Sequence, residues 1–160
     1  VKVSFLLNGD QVSVEADANQ PLSAILRNHY GLKGTHVGCR YGRCGACLVL
    51  LEDRLVPSCL VPAFRLEDAR VTTIEAFSDS DDAEDVRTGF TRAGAVPCDF
   101  CRSGRYLSVH AALEESLSPS EAEIRDLFAV ANCTCMTYPS FRDALRVAAE
   151  LRQRRNHGRR

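Results

Sequence analysis

The sequence contains no apolar run approaching the roughly 20 residues that a membrane helix needs. Its body carries no long basic stripe, and its charges nearly cancel, with 20 lysines and arginines against 21 acids for a net −1. The first absence excludes a helical membrane span. The other two remove the electrostatic footprint of a nucleic-acid binder. A signal peptide is missing as well, because residues 1–8 (VKVSFLLN) read as a strand with no apolar core region or cleavage site behind them. The first residue is not methionine, so the expectation is a cytoplasmic protein, or a periplasmic one from which a leader has been removed. What is present suffices for a buried core: 160 residues, 45% hydrophobic and 26% charged, fit one domain or two small ones. The eight cysteines are too many for the idle thiols of a cytosolic chain and too few for a disulfide-dense mini-domain. They need a joint explanation.

Alternation of Val3, Phe5 and Leu7 followed by Asn8-Gly9 and then Val12 and Val14 predicts a β-hairpin. Pro21 opens a helix with apolar positions Leu22, Ile25, Leu26 and Tyr30, stopped by Gly31. After a glycine- and cysteine-rich loop from Gly34 to Cys47, strands are expected at Cys47–Leu51, Leu55–Leu60 and Val71–Ile74. This order reads as a small α+β domain over residues 1–77. The acidic stretch 78–85 (SDSDDAED) reads as a solvated linker into a second domain, residues 78–160. There the period turns helical, with Val86, Phe90 and Ala93 on one face and Tyr106, Val109, His110 and Leu113 on another. Ser118-Pro119-Ser120-Glu121 reads as a capping box and Pro139 as a helix opener, so a small four-helix bundle is expected. The basic tail, 152–160, is expected to fray into solvent.

Cys39, Cys44 and Cys47 form a C-x4-C-x2-C run, and Cys59 follows; this is the spacing of plant-type 2Fe-2S ferredoxins. Three ligands on one tight loop wrap two irons while the fourth arrives from elsewhere. Gly38, Gly42 and Gly45 are read as positions where positive φ turns backbone N–H groups toward the sulfurs, and Arg40 and Arg43 as nearby compensating charge. A structural zinc site would more often show paired C-x2-C knuckles. Disulfides fit badly on one tight loop.

Cys98 and Cys101 (C-x2-C) with Cys133 and Cys135 (C-x-C) supply a second set of four. Each motif alone serves zinc, redox and cluster proteins alike. The helical surroundings do not suit a thioredoxin-like βαβ unit, and a Rieske centre requires two histidine ligands that are not there. No acid, base or nucleophile set stands out, so no catalytic residue is expected on this chain.

The whole arrangement resembles the small iron-sulfur subunit of the molybdenum hydroxylases, the family of xanthine dehydrogenase, aldehyde oxidoreductase and carbon monoxide dehydrogenase. The family's second motif usually reads Gln-Cys-Gly-Phe-Cys-Thr-Pro-Gly, where this chain has Pro97-Cys98-Asp99-Phe100-Cys101-Arg102-Ser103-Gly104. Its third usually reads Cys-Arg-Cys-Thr-Gly-Tyr, where this chain has Cys133-Thr134-Cys135-Met136-Thr137-Tyr138. The resemblance implies a β-grasp domain followed by a four-helix bundle, each holding one 2Fe-2S cluster. It also implies an outer cluster on Cys39, Cys44, Cys47 and Cys59 and an inner one on Cys98, Cys101, Cys133 and Cys135. The implied partners are two, one large and molybdopterin-binding, the other of medium size and FAD-binding, with this chain carrying electrons one at a time between them. The glutamine that the family places near the pterin is Pro97 here, which has no side-chain amide. These departures mark a divergent branch, a relative whose partner lacks the usual cofactor, or neutral drift around an intact cluster. Two other functions remain open from the residues alone, a free two-cluster ferredoxin and a zinc-stabilised interaction module.

Two oxidised clusters of about −2 each would take the chain to about −5. Donor-rich surroundings are therefore required. Of the remaining residues, His36 reads as a loop histidine, Tyr41 as a shield over the first site, and His110 as a satisfied, partly buried side chain.

Overall fold

The computed structural model describes residues 1–158. Val3, Phe5 and Leu7 are buried on one face of strand β1 (Lys2–Leu7), as period-2 alternation requires. Asn8 and Gly9 both take positive φ, 55° and 93°, the geometry that returns a chain in a tight hairpin. The chain comes back as β2 (Asp10–Glu15), with Val3 opposite Val14. Helix α1 (Leu22–Asn28) buries Leu22, Ile25 and Leu26 against the sheet. Strands β3 (Leu48–Leu51) and β4 (Arg54–Pro57) form a second antiparallel pair. Strand β5 (Arg70–Thr72) fills the gap, parallel to β1 and antiparallel to β3, giving the order β2-β1-β5-β3-β4. A mixed sheet closed around one helix is the expected β-grasp arrangement.

Two strands are shorter than expected, for chemical reasons. Pairing of β4 stops at Pro57, which has no N–H for the ladder, and Ser58–Leu60 becomes a 3-10 turn carrying Cys59. Ile74 leaves β5 to open a short helix, α2 (Ile74–Ser78).

The second half is helical: α3 (Asp81–Arg92), α4 (Arg102–Glu115), α5 (Glu121–Ala129) and α6 (Tyr138–Gly158). No helix among the described residues is long and apolar enough to cross a membrane. Val86, Phe90, Leu107, Phe141, Leu145 and Ala148 are fully buried in its core. Leu50 of β3 belongs to that core while its neighbour Val49 belongs to the sheet–α1 core. One strand therefore serves both halves, each with alternate side chains.

Three expectations are corrected. The acidic run 78–85 is not a linker: Ser80 caps α3 by accepting from the Ala83 N–H at 3.1 Å, and Asp81, Asp82 and Glu84 lie in its first turn, where the helix dipole favours acids. The basic tail does not fray through residue 158. α6 continues to Gly158, Arg152 is 2% exposed, and Arg155 bonds Asp82 and Asp85. The two oppositely charged segments are partners, with Arg159 and Arg160 outside the described residues. The capping box of α5 is Ser120 with Glu123, so Pro119 precedes the cap instead of opening the helix.

Arg152 sits in the middle of this network, reaching Glu114 at 3.1 Å, Asp82 at 3.5 Å and Asp85 at 3.6 Å. Replacing it by methionine removes the buried cation while Arg155 still pairs with Asp82 and Asp85, so Arg152→Met is expected to cost about 1 to 3 kcal/mol in urea unfolding. His110 lies in the same place, its Nδ1 3.3 Å from Arg152 and its ring against Phe77. Burial and then the Arg152 charge pull its pKa below 6.5, against the weaker opposite pull of Glu114, Asp82 and Asp53. The unfolded chain therefore binds the proton first, and stability falls as pH drops below 6.5. His110→Gln is expected to flatten that slope in urea midpoints measured across the range.

Candidate metal centres

The loop between α1 and β3 folds around its own sulfurs. Arg40, Gly42 and Gly45 take positive φ, 64°, 78° and 71°, and the amides they redirect point inward. The Cys39 sulfur accepts from the N–H groups of Arg43 at 3.2 Å and Cys44 at 3.3 Å, and the Cys44 sulfur from that of Cys39 at 3.5 Å. Led by the Tyr41 N–H, these donors hold the Cys39 thiol down at about 6. Cys47 and Cys59 are buried side by side, and burial pushes Cys59 up to about 11. The hydroxyl and N–H of Ser58 both donate to the Cys47 carbonyl, at 2.6 and 3.1 Å, which fixes the fourth cysteine against the loop. The first four cysteines thus form two pairs, 39 with 44 and 47 with 59.

Gly38 does not have positive φ, contrary to the reading of it as a turn residue. A Cβ there would meet Phe100 at 2.8 Å and the Cys44 sulfur at 3.0 Å, so its smallness is what matters. Tyr41 contributes its backbone N–H, but its ring is 65% exposed and shields nothing. His36 is not simply solvated either, since it stands edge-on to Phe100 with ring centroids 5.8 Å apart.

The second four cysteines converge tightly, with all their sulfurs within 4.8 Å of one another. Cys98 lies 3.5 Å from Cys101 and 3.7 Å from Cys133, and Cys101 lies 3.4 Å from Cys135. Cys101 is fully buried and Cys135 exposed. Cys101 is the N-cap of α4, so the positive end of that helix meets the sulfurs. The Cys101 N–H holds Cys98 down at about 7, while burial raises Cys101 itself. Asp99 and Arg102, of opposite charge on either side of Cys101, pair with each other at 2.7 Å on the surface.

One neighbour of this site escaped the sequence reading. Arg105 is 0% exposed, and its guanidinium donates to the carbonyls of Phe128 at 2.6 Å and Ala131 at 2.8 Å. The signal was available in principle, because Arg105 follows Cys101 by four residues and so shares its helix face.

The two sites touch through main chain. A Cβ on Gly104 would run into the Gly45 carbonyl oxygen, and one on Gly45 would run into Val130 and Ala131. The loop of the first four cysteines thus rests on α4 and on the segment leading to Cys133.

Thiol-only donor sets ringed by N–H groups fit iron-sulfur clusters. The compact second set would equally fit one tetrahedral ion, so comparison with known proteins decides. Residues 5–73 match a 2Fe-2S iron-sulfur cluster binding domain, and residues 73–146 a [2Fe-2S] binding domain. A nicotinate dehydrogenase component of Pseudomonas putida is 32% identical over 152 residues, 95% of this chain and 97% of that protein. The chain belongs to the small iron-sulfur subunits of the molybdenum hydroxylases. Aldehyde oxidoreductase of Megalodesulfovibrio gigas is 34% identical across 91% of this chain, which spans only 16% of that larger protein. The solved quinoline 2-oxidoreductase of Pseudomonas putida 86 superposes with a TM-score of 0.86 at 29% identity, covering 96% of both chains. A molybdenum hydroxylase small subunit works by electron transfer within an oxidoreductase, which favours neither a zinc module nor a free ferredoxin. In such a protein the Gly45–Gly104 contact leaves no room for a side chain. Gly104→Ala is expected to lower the urea midpoint by the equivalent of about 1 to 3 kcal/mol.

Proposed function

We propose that Cys39, Cys44, Cys47 and Cys59 hold one 2Fe-2S cluster, within a domain of residues 1–77. In this reading Cys98, Cys101, Cys133 and Cys135 hold the other, within residues 78–160. The chain then conducts electrons from a large molybdopterin-binding subunit to a medium FAD-binding subunit, in a hetero-oligomer assembled in the cytoplasm. The observation that carries the reading is the convergence of four thiols within 4.8 Å of one another, in main-chain contact with a loop that holds the other four as two pairs.

When bound, each cluster supplies reversible one-electron storage without rearrangement of substrate bonds. The residues of the chain prepare the two places. Arg40, Gly42 and Gly45 shape the first loop so that its N–H groups meet sulfur, and Gly38 leaves room for Phe100 of the second site and for the Cys44 sulfur, both of which a Cβ there would crowd. Donated N–H groups stabilise negative sulfur and favour the reduced state. Phe100 and His36 stand edge-on to each other, joining the second site to the loop of the first. Pro97 offers only its carbonyl, which Arg102 occupies at 3.4 Å, so the usual side-chain amide next to the pterin is replaced by an apolar ring. The substrate is bound on another chain. Names such as nicotinate dehydrogenase and nicotine 6-hydroxylase, carried by relatives, favour an aromatic nitrogen heterocycle.

Anaerobically prepared protein is expected to hold about four irons and to show two distinct paramagnetic centres on reduction. Cys59→Ser should remove one and Cys135→Ser the other. Zinc in place of iron, or loss of both signals in either variant, overturns the assignment.

A further inference from the structure

Two arginines among the described residues are almost wholly buried, and they are compensated differently. Arg152, 2% exposed, is surrounded by the carboxylates of Asp82, Asp85 and Glu114. Arg105 is 0% exposed and, among the described residues, has no carboxylate in ion-pair range of its guanidinium. Its two terminal nitrogens bond main-chain carbonyls, and its Nε has no hydrogen-bond partner. The plane lies over the rings of Phe128 and Phe141, 4.6 and 5.1 Å from their centroids. Rings and carbonyls soften the burial of a cation but do not neutralise it, and a buried charge without a counter-ion is costly.

Helix geometry shows where the counter-ion lies. A helical side chain leans toward the turn before its own Cα, and the turn before Arg105 begins at Cys101. The Arg105 N–H donates to the Cys101 carbonyl at 2.9 Å, and the Ala131 carbonyl that its guanidinium bonds also accepts from the Cys133 N–H at 3.0 Å, so the cation lies beside the segments that carry these cysteines. Negative charge on Cys101, Cys135 and Cys133 would oppose the downward pull of burial. Four neutral thiols would leave the arginine uncompensated. Four thiolates and two bridging sulfides around two ferric irons carry about −2, which becomes −3 on reduction by one electron with no proton taken up and no bond changed.

We propose that Arg105 is the fixed counter-charge of the second cluster, a positioning residue whose buried guanidinium favours that cluster's reduced state. This rests on the assignment of the cluster to Cys98, Cys101, Cys133 and Cys135. The arginine that the family motif usually carries between the last two ligands is Thr134 here, and Arg105 supplies a cation to the same sulfurs from α4.

The test is a mediated redox titration of the full chain, followed by electron paramagnetic resonance, with the first cluster as internal control. Arg105→Met is expected to weaken reduction of the second centre about tenfold or more, 59 mV for a one-electron couple, and to leave the first unchanged. Arg105→Lys, which keeps the charge, should stay within about threefold of the wild type. A role confined to capping the Phe128 and Ala131 carbonyls predicts lower stability with unchanged potentials in both variants, and that result overturns the proposal. Should either substitution prevent the second centre from forming, an Arg102→Gln chain grown on guanidino-15N arginine decides by pulsed resonance. Nitrogen coupling to the reduced second centre supports the proposal, and its absence overturns it. Wild-type protein without two iron centres overturns the cluster assignment and this inference together, whereas two centres with unshifted potentials overturn the inference alone.

Discussion

The Gly45 carbonyl meets the Cα of Gly104 with no side chain between them. This approach brings two independently shaped sulfur sites into one unit. The first site is set by a loop hanging from a sheet, the second by the start of α4 and the segment before α6. Nothing in either hydrophobic core requires those places to be adjacent. What makes them so is β3, whose Val49 packs into one core and Leu50 into the other, so that α4 lies along the strand that the first loop feeds. Electron transfer needs short separations, and the chain achieves one by omitting side chains where the sites meet.

Charge is handled by a second rule. Cations are buried at both ends of the helical half, but each end has its own kind of anion. Near the end of α6 the anions are carboxylates from α3 and α4, present as soon as the chain folds. Near the start of α4 the proposed anions are sulfurs, whose charge would depend on the metal bound there. The first arrangement holds helices together regardless of cofactor. The second, as proposed, would make the surroundings of Arg105 depend on what the cysteines carry, which couples fold to cofactor content there.

Much of this was readable from residue order. The Asn8-Gly9 hairpin, α1, and the first sulfur set all depend on neighbours within a few positions, and local spacing encodes them well. The second set was readable by arithmetic, because four cysteines remained in two short motifs. What residue order hid was pairing over distance. Residues 78–85 and 152–158 each look solvated when read alone, and only their meeting across some 70 positions makes α3 and the end of α6. Gly38 was assigned the wrong reason for the same cause. Its neighbour Phe100 lies far along the chain, so a steric need looked like a conformational one. Arg105 was overlooked because an arginine on a helix is ordinarily a surface residue, and nothing local says that the end of α5 and the segment after it close over it.

The spacing of the sulfurs has a bearing on how the molecule is made. The first set lies entirely within residues 39–59, so all four of its thiols have left the ribosome before the helical half has been translated. The second set draws on residues 98–101 and 133–135, and the ion network that closes its helices waits for Arg155. Domains fold as units during synthesis, earliest first. A nascent chain of this protein therefore exposes all four thiols of the first set before those of the second have been made, while the surface of α4 on which the first loop comes to rest arrives only later.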